Sequence, residues 1–120
     1  MAKAERIIMR LSDYRLDATN EASLQRQVHE LVSEICECRP EVRLNSRDRI
    51  DFLADSGVGI ECKVKGSAAS VVSQLLRYAE SDQVNELILV TSKRLHLAMP
   101  PFQDGELLGK PLFGVWVHAF

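Results

Sequence analysis

The sequence predicts a single α/β (α+β) domain in which helices flank a mixed central sheet. Two helix-periodic stretches, one after Asn20 and one after Ser67, are separated and followed by short strand-like runs. The predicted order is a helix, three strands, a helix, a strand, a loop and a last strand. With 120 residues, 46% of them hydrophobic, the chain is long enough to bury one core.

The first half of the chain contains one helix and three strands. Residues 1–19 mix scattered cations with apolar positions and predict an arm or short strand. Thr19 and Asn20 are helix-capping types, and the apolar spacing that follows predicts a helix over 21–37, which Pro40 helps to end. Strand-like runs then occupy 42–45, 49–54 and 58–64, with Gly57 and Gly59 as punctuation.

The second half adds a helix and two strands. Gly66 and Ser67 open a helix that continues to Glu80, with one apolar stripe. The continuous apolar run 86–91 predicts a strand that is covered on both faces. Residues 112–118 alternate loosely and predict a last strand at an edge of the sheet.

Composition narrows the function classes. No apolar run reaches the roughly 20 residues of a membrane helix, so we expect a soluble, intracellular protein without a membrane partner. Three cysteines are too few for a disulfide framework. A net charge of −2 disfavours a protein that grips nucleic acid through one large basic patch. If the substrate is a polyanion, something besides Lys and Arg must supply positive charge.

The segment 49–65 carries the candidate chemistry. If its two strands form a hairpin closed by the loop 55–57, Ala54 faces Val58 and Asp51 faces Glu61. Alternation then gives one apolar face and one face with two carboxylates and two lysines. The members of the apolar face are Ile50, Phe52, Ala54, Val58, Ile60, Cys62 and Val64. The members of the other face are Asp51, Leu53, Gly57, Gly59, Glu61, Lys63 and Lys65.

Two neighbouring carboxylates on rigid strands suit a divalent cation. Hard oxygen ligands of this kind fit Mg²⁺ or Mn²⁺, which keep water and substrate phosphate as their other ligands. Lys63 would hold a water or stabilise charge on a phosphoryl oxygen, and Gly59 would let a backbone or phosphate approach. The alternative is a solvated strand face with an ordinary cross-strand ion pair.

The residues Arg49-Ile50-Asp51-Phe52 and Gly59-Ile60-Glu61-Cys62-Lys63 resemble the signature of the PD-(D/E)XK nuclease superfamily. Ile50 stands where the nominal motif has proline. The predicted order of elements over 20–92 is similar to the αβββαβ core of these restriction-endonuclease-like proteins. The arm 1–19 and the loop and strand 93–120 lie outside the resemblance.

Further residues match secondary features of the superfamily. Glu21, at the start of the first helix, matches an additional metal ligand or orienting carboxylate, with Glu30 and Glu34 as substitutes. Gln74 and Tyr78 resemble the Gln-x-x-x-Tyr motif of RecB-like members and lie on one helical face, which Arg77 flanks. As structural residues, Tyr78 would be a core-edge aromatic, Gln74 a solvated side chain, and Glu21 a favourable first-turn charge.

The resemblance implies Mg²⁺- or Mn²⁺-dependent hydrolysis of DNA phosphodiester bonds. Its catalytic residues would be Asp51, Glu61, Lys63 and Glu21, with the Cys62 backbone carbonyl as a further metal ligand. Substrate contacts would come from Gln74, Tyr78, Arg77 and Lys65. The Cys62 thiol points to the opposite face and is expected to be inert.

The form of the substrate stays open between a junction or flap and a free end. The small size is consistent with a phage-encoded enzyme in a bacterial cytoplasm, a homodimer that pairs through residues 112–120, and recruitment by a protein partner. The competing class is a non-catalytic nucleic-acid or protein-binding module on the same fold. Zinc at Cys36, Cys38 and His29 is disfavoured, because no second ligand pair has suitable spacing. His96 is expected in a surface loop.

Overall fold

In a computed structural model that describes residues 2–118, these residues form an α+β fold in which four helices pack against a six-stranded mixed sheet. The helices are α1 (Lys3–Ser12), α2 (Glu21–Ser33), α3 (Ala68–Ala79) and α4 (Pro100–Asp104). The strands are β1 (Cys38–Arg43), β2 (Arg49–Ala54), β3 (Val58–Lys63), β4 (Glu86–Thr91), β5 (Glu106–Leu107) and β6 (Lys110–Trp116). No helix within 2–118 is long and apolar enough to cross a membrane.

The sheet has the strand order β1-β2-β3-β4-β6-β5. The first three strands pair antiparallel, whereas β3, β4 and β6 are mutually parallel. Helix α3 connects β3 to β4, as a parallel pair requires. The carboxyl ends of β3, β4 and β6 therefore lie together at one end of the sheet.

Helices cover both faces of the sheet and create two hydrophobic clusters. Leu24 and Val28 of α2 and Ile7 of α1 are buried in the cluster that contains Ile60. On the opposite face, Leu75 of α3 is buried in a second cluster with strand residues of β4. The central strands are thus buried from two sides, which explains the continuous apolar run of β4.

The predicted starts of the two main helices are confirmed by their caps. The Asn20 side chain accepts a hydrogen bond from the Ser23 N–H at 2.8 Å, and the Ser67 hydroxyl accepts one from the Ser70 N–H at 3.1 Å. The strands predicted over 49–54 and 86–91 are observed with those bounds, and the predicted strand 58–64 ends one residue earlier, at Lys63.

The prediction for the N-terminal segment was wrong. Residues 3–12 form a helix whose buried residues Ala4, Ile7 and Leu11 recur at helical spacing. Helix α2 ends at Ser33 and not at residue 37, and Pro40 lies within β1 instead of ending the helix. Strand β1 also begins before the predicted 42–45. Because β1 is an edge strand, it tolerates a proline that cannot donate to a neighbour.

The last strand is paired on its outer side only at its beginning. Strand β5 contacts Pro111 and Lys110, and within the described chain no strand pairs with the outer edge of β6 beyond them. The edge position predicted for 112–118 is therefore confirmed up to the strand end at Trp116. The proposed dimer contact 112–120 stays a prediction, and its residues 119–120 lie outside the described part.

Candidate active site

The hairpin of β2 and β3 has the predicted register. Ala54 pairs with Val58 and Phe52 with Ile60, around a connecting turn at 55–57. Gly57 has φ +75°, in the left-handed region that glycine adopts readily. The next pair in this register would be Asp51 and Glu61, where the observed backbone pairing stops.

Where the regular backbone pairing of β2 and β3 stops, two carboxylates accept the backbone N–H groups instead. Backbone pairing between β2 and β3 ends at Phe52 and Ile60. Beyond it, the Asp51 N–H donates to Glu61 Oε1 at 3.1 Å, and the Cys62 N–H donates to Asp51 Oδ2 at 2.8 Å. Each carboxylate thus binds the backbone of the opposite strand. These reciprocal bonds fix the two acidic side chains beside each other.

Strict alternation fails at the same position. Phe52 packs on the α2 side of the sheet, but Ile50 joins the cluster on the α3 side, contrary to the predicted apolar face. Glu41, across the neighbouring strand from Asp51, has φ +50°, an uncommon value for a residue with a side chain. Because the backbone distorts around Asp51, its side chain leaves the regular pattern of the sheet.

The face that carries Glu61 is not an open, solvated surface. Glu61 is 2% exposed, and the neighbouring Leu53 is buried as well. The role predicted for Gly59 was wrong: a Cβ there would lie 2.7 Å from Ile50 Cδ1 and 3.0 Å from Leu87 Cδ2. The missing side chain therefore makes room for core packing and not for a phosphate.

Glu61 has two side-chain partners on its second oxygen. Lys63 Nζ lies 3.4 Å from Glu61 Oε2, and the Lys63 side chain is 20% exposed. The Tyr78 hydroxyl lies 3.2 Å from the same oxygen and 3.1 Å from the Arg49 carbonyl, so it can donate to either acceptor. Tyr78 is buried, so its hydroxyl supports Glu61 and does not make the predicted substrate contact, whereas the Lys63 side chain is partly exposed.

The two carboxylates hold protons more tightly than free side chains do. Burial and the charge of Asp51 raise the pKa of Glu61 from 4.5 to about 8, against the opposing effects of Lys63 and Tyr78. Burial and the charge of Glu21 likewise raise the pKa of Asp51. Burial is the larger cause for both groups, so the ionised form of each carboxylate is disfavoured where it lies.

Helix α2 adds two polar side chains near the pair. Glu21 Oε1 accepts a hydrogen bond from the Val64 N–H at 3.3 Å, just after Lys63. Gln25 hydrogen bonds to the Asp51 carboxylate and lowers its pKa. Sequence reasoning missed Gln25, although its position one turn after Glu21 was a usable signal. Glu30 and Glu34 are both exposed, and Glu34 lies 3.8 Å from Arg10 instead of beside the carboxylate pair.

Asp51 and Glu61 are the two carboxylates that could bind a divalent cation at this position. Across residues 2–118, no group of three or more His, Cys, Asp or Glu side chains could hold a metal ion. Glu21, Asp51 and Glu61 together therefore do not form such a group. The pair of Asp51 and Glu61 offers hard oxygen ligands of the kind that suits Mg²⁺, an ion that keeps several waters. Glu61 is nevertheless 2% exposed, and both of its oxygens already have protein partners. The Cys62 carbonyl stays a predicted ligand.

The other predicted substrate contacts and the Cys62 thiol differ in burial and in their bonding partners. Arg77 is engaged by Asp48, with Nε 3.0 Å from Asp48 Oδ1. Gln74 is half-buried and Lys65 is exposed, and both stay predicted substrate contacts. The Cys62 thiol is buried, and burial raises its pKa, consistent with an inert side chain.

His96 is buried, contrary to the expectation of a surface loop histidine. Its Nε2 lies 2.8 Å from the Gly66 carbonyl, and its Nδ1 lies 2.7 Å from Thr91 Oγ1. A carbonyl only accepts, so Nε2 carries the proton and Nδ1 accepts from the threonine. His96 thereby ties the segment after Lys63 to the end of β4.

Comparisons with known proteins give no further assignment. No family model matches the chain, and neither a curated protein nor a solved structure matches it. The functional argument therefore depends on the residues and their geometry.

Proposed function

We propose that this chain is a Mg²⁺- or Mn²⁺-dependent DNA nuclease of the PD-(D/E)XK type. The observation that carries the proposal is the reciprocally bonded pair of Asp51 and Glu61, with the Lys63 ammonium 3.4 Å from Glu61. The order α2, β1, β2, β3, α3, β4 also agrees with the αβββαβ order of that superfamily.

The carboxylate pair would hold the metal ion. Asp51 and Glu61 would provide carboxylate oxygens, the Cys62 carbonyl would add a third ligand, and Glu21 would orient the neighbouring backbone. Such an ion, when bound, polarises a phosphoryl oxygen and makes a water more acidic. Because the pKa of Glu61 is raised to about 8, ion binding must displace a proton from this pair at neutral pH.

Lys63 is the residue best placed to act on the substrate. Its ammonium lies beside Glu61 and is partly exposed, so it can donate to a water or to a phosphoryl oxygen. Tyr78 holds Glu61 through its hydroxyl and keeps that carboxylate in one orientation. Gln74 and Lys65 would contact the phosphate backbone around the cleaved bond, whereas Arg77 is held by Asp48.

The test is cleavage of labelled linear, branched and single-stranded DNA with Mg²⁺ or Mn²⁺. We expect cleavage by the wild type, loss in Asp51→Asn and Lys63→Ala, and full activity in Asp55→Asn. Asp55 is a matched control because it is an exposed carboxylate at the other end of the same hairpin. DNA binding without cleavage in all four proteins would instead support the non-catalytic binding module.

A further inference from the structure

An aromatic and cationic group lies at the carboxyl end of β6. The Arg94 guanidinium is 4.8 Å from the ring centre of Trp116, and the His118 ring is 4.0 Å from it. The indole Nε1–H donates to the Ser92 carbonyl at 3.4 Å, which fixes the ring orientation. We call Arg94, Trp116 and His118 the Trp116 cluster. Trp116 remains 39% exposed, although a large aromatic ring usually loses most of its surface on folding.

The cluster lies in the same row of the sheet as the candidate catalytic lysine. Lys63 pairs with Thr91 across β3 and β4, and Thr91 pairs with Trp116 across β4 and β6. Side chains in register on parallel strands point to the same face. Two strand spacings separate the Lys63 and Trp116 backbones, which is about 10 Å.

Charge along the strand direction favours a polyanion at this end. The carboxyl ends of β3 and β4 are followed by exposed cations, namely Lys65, Lys93 and Arg94. The opposite end has the exposed acids Asp55 and Asp82, and Glu86 at the start of β4. Asp13, which lines the groove beside Trp116, and Glu21, near Val64, are acids on the basic side. Cations also lie at the opposite end, namely Lys3, Arg39 and Lys110. The positive charge beside Trp116 is therefore a local group of three exposed cations and not a net basic end.

From these observations we infer that the Trp116 cluster binds an unpaired nucleotide of the substrate strand. A base stacks against the indole in place of the His118 ring, and Arg94, which lies over the same indole, neutralises an adjacent phosphate. This inference rests on the proposed nuclease function, for which it names the substrate form: DNA with a single-stranded segment next to the cleaved bond. A paired base inside a duplex cannot offer its face to the ring. Fully paired DNA would therefore gain only the electrostatic attraction between its phosphates and Arg94.

The test uses the intrinsic fluorescence of Trp116, the one tryptophan in the sequence. In EDTA, where cleavage is absent, the full-length protein is titrated with a thymidine oligonucleotide and with a blunt duplex. We expect quenching by the oligonucleotide and little quenching by the duplex. Labelled-oligonucleotide anisotropy should show roughly 5- to 100-fold weaker binding for Trp116→Leu, as for loss of one base stack. Trp116→Phe, which keeps an aromatic ring, should retain most of the affinity.

Arg94→Ala is compared with Arg39→Ala, an exposed arginine on β1 near the other end of the sheet. We expect Arg94→Ala alone to reduce the slope of log affinity for the oligonucleotide against log salt by about 0.7. Equal oligonucleotide affinity in wild type and Trp116→Leu would overturn the inference, as would unchanged fluorescence at saturation. A fluorescence change that depends on protein concentration alone would assign the surface to a second copy of the chain, and so would also overturn it.

The cleavage assay separates this inference from the proposed function. If Trp116 binds single strands but no DNA is cut, the nuclease proposal fails and the binding site stands. If DNA is cut with equal preference by wild type and Trp116→Leu, the nuclease proposal stands and the inference fails.

Discussion

The substitution Glu61→Gln should change how the stability of the metal-free protein depends on pH. The pKa of Glu61 is about 8 in the folded state and 4.5 in the unfolded reference. Between these values the folded protein binds more protons than the unfolded chain, so the free energy of unfolding falls as pH rises. The raised pKa of Asp51 acts in the same direction.

The magnitude follows from the linkage relation. One group can contribute at most about 1.4 kcal/mol per pH unit, so wild type should lose roughly 2 kcal/mol between about pH 5.5 and 7.5. With a urea m value of about 1.5 kcal/mol per M, the unfolding midpoint would fall by roughly 1 M. Asp17 and Asp48, whose pKa values are lowered, act in the opposite sense and only at more acidic pH.

Urea unfolding in EDTA at several pH values measures this slope for both proteins. Glutamine is similar in size to glutamate and carries no charge, so Glu61→Gln should show a flatter pH dependence and a higher relative stability at pH 8. Altered hydrogen bonding in Glu61→Gln would shift the free energy of unfolding by the same amount at every pH, so it would not change the slope against pH. Equal slopes in wild type and Glu61→Gln would refute the assignment of a raised pKa to this buried carboxylate.

Three further predictions concern the core, an ion pair and the metal. Gly59→Ala should destabilise the protein by about 1 to 3 kcal/mol, measured by urea unfolding, because the new Cβ would lie 2.7 Å from Ile50 Cδ1; an unchanged midpoint would contradict the close packing. Arg77→Ala and Asp48→Asn should each lower stability, and the double variant should lose less than the sum, whereas strict additivity would mean that the 3.0 Å contact contributes no coupling. Adding Mg²⁺ at pH 8 should raise the thermal midpoint of wild type and leave Asp51→Asn unchanged, since only a folded-state ligand stabilises by mass action; an equal rise in both proteins would place the ion elsewhere.

Local sequence patterns predicted the structure correctly where residues close together in the chain determine it. The short loop 55–57 fixed the register from Ala54 and Val58 to Phe52 and Ile60, and Asp51 and Glu61 come together just beyond it. Asn20 and Ser67 capped the helices that they were expected to cap. The helical spacing of Ala4, Ile7 and Leu11 was also present in the sequence but was overlooked among the charged residues of that segment.

Period-two alternation could not show which strand faces are covered. It assigned Gly59 to the polar, solvent-facing side of the hairpin. In the structure α3 covers that side, and core side chains fill the space beside the glycine. It also missed the distortion at Asp51, because the change of side at Ile50 depends on how both neighbouring strands pair.

The sequence by itself determined the order of elements from α2 to β4, the proximity of the two carboxylates and the presence of Lys63 beside them. Only the tertiary structure decided that Glu61 is buried under Tyr78, that Gln25 contacts Asp51, and that Trp116 shares a row with Lys63. The physical reason is the range of the interactions. Caps, turns and strand alternation depend on residues a few positions apart, whereas burial, raised pKa values and cross-sheet rows depend on segments that meet only after folding.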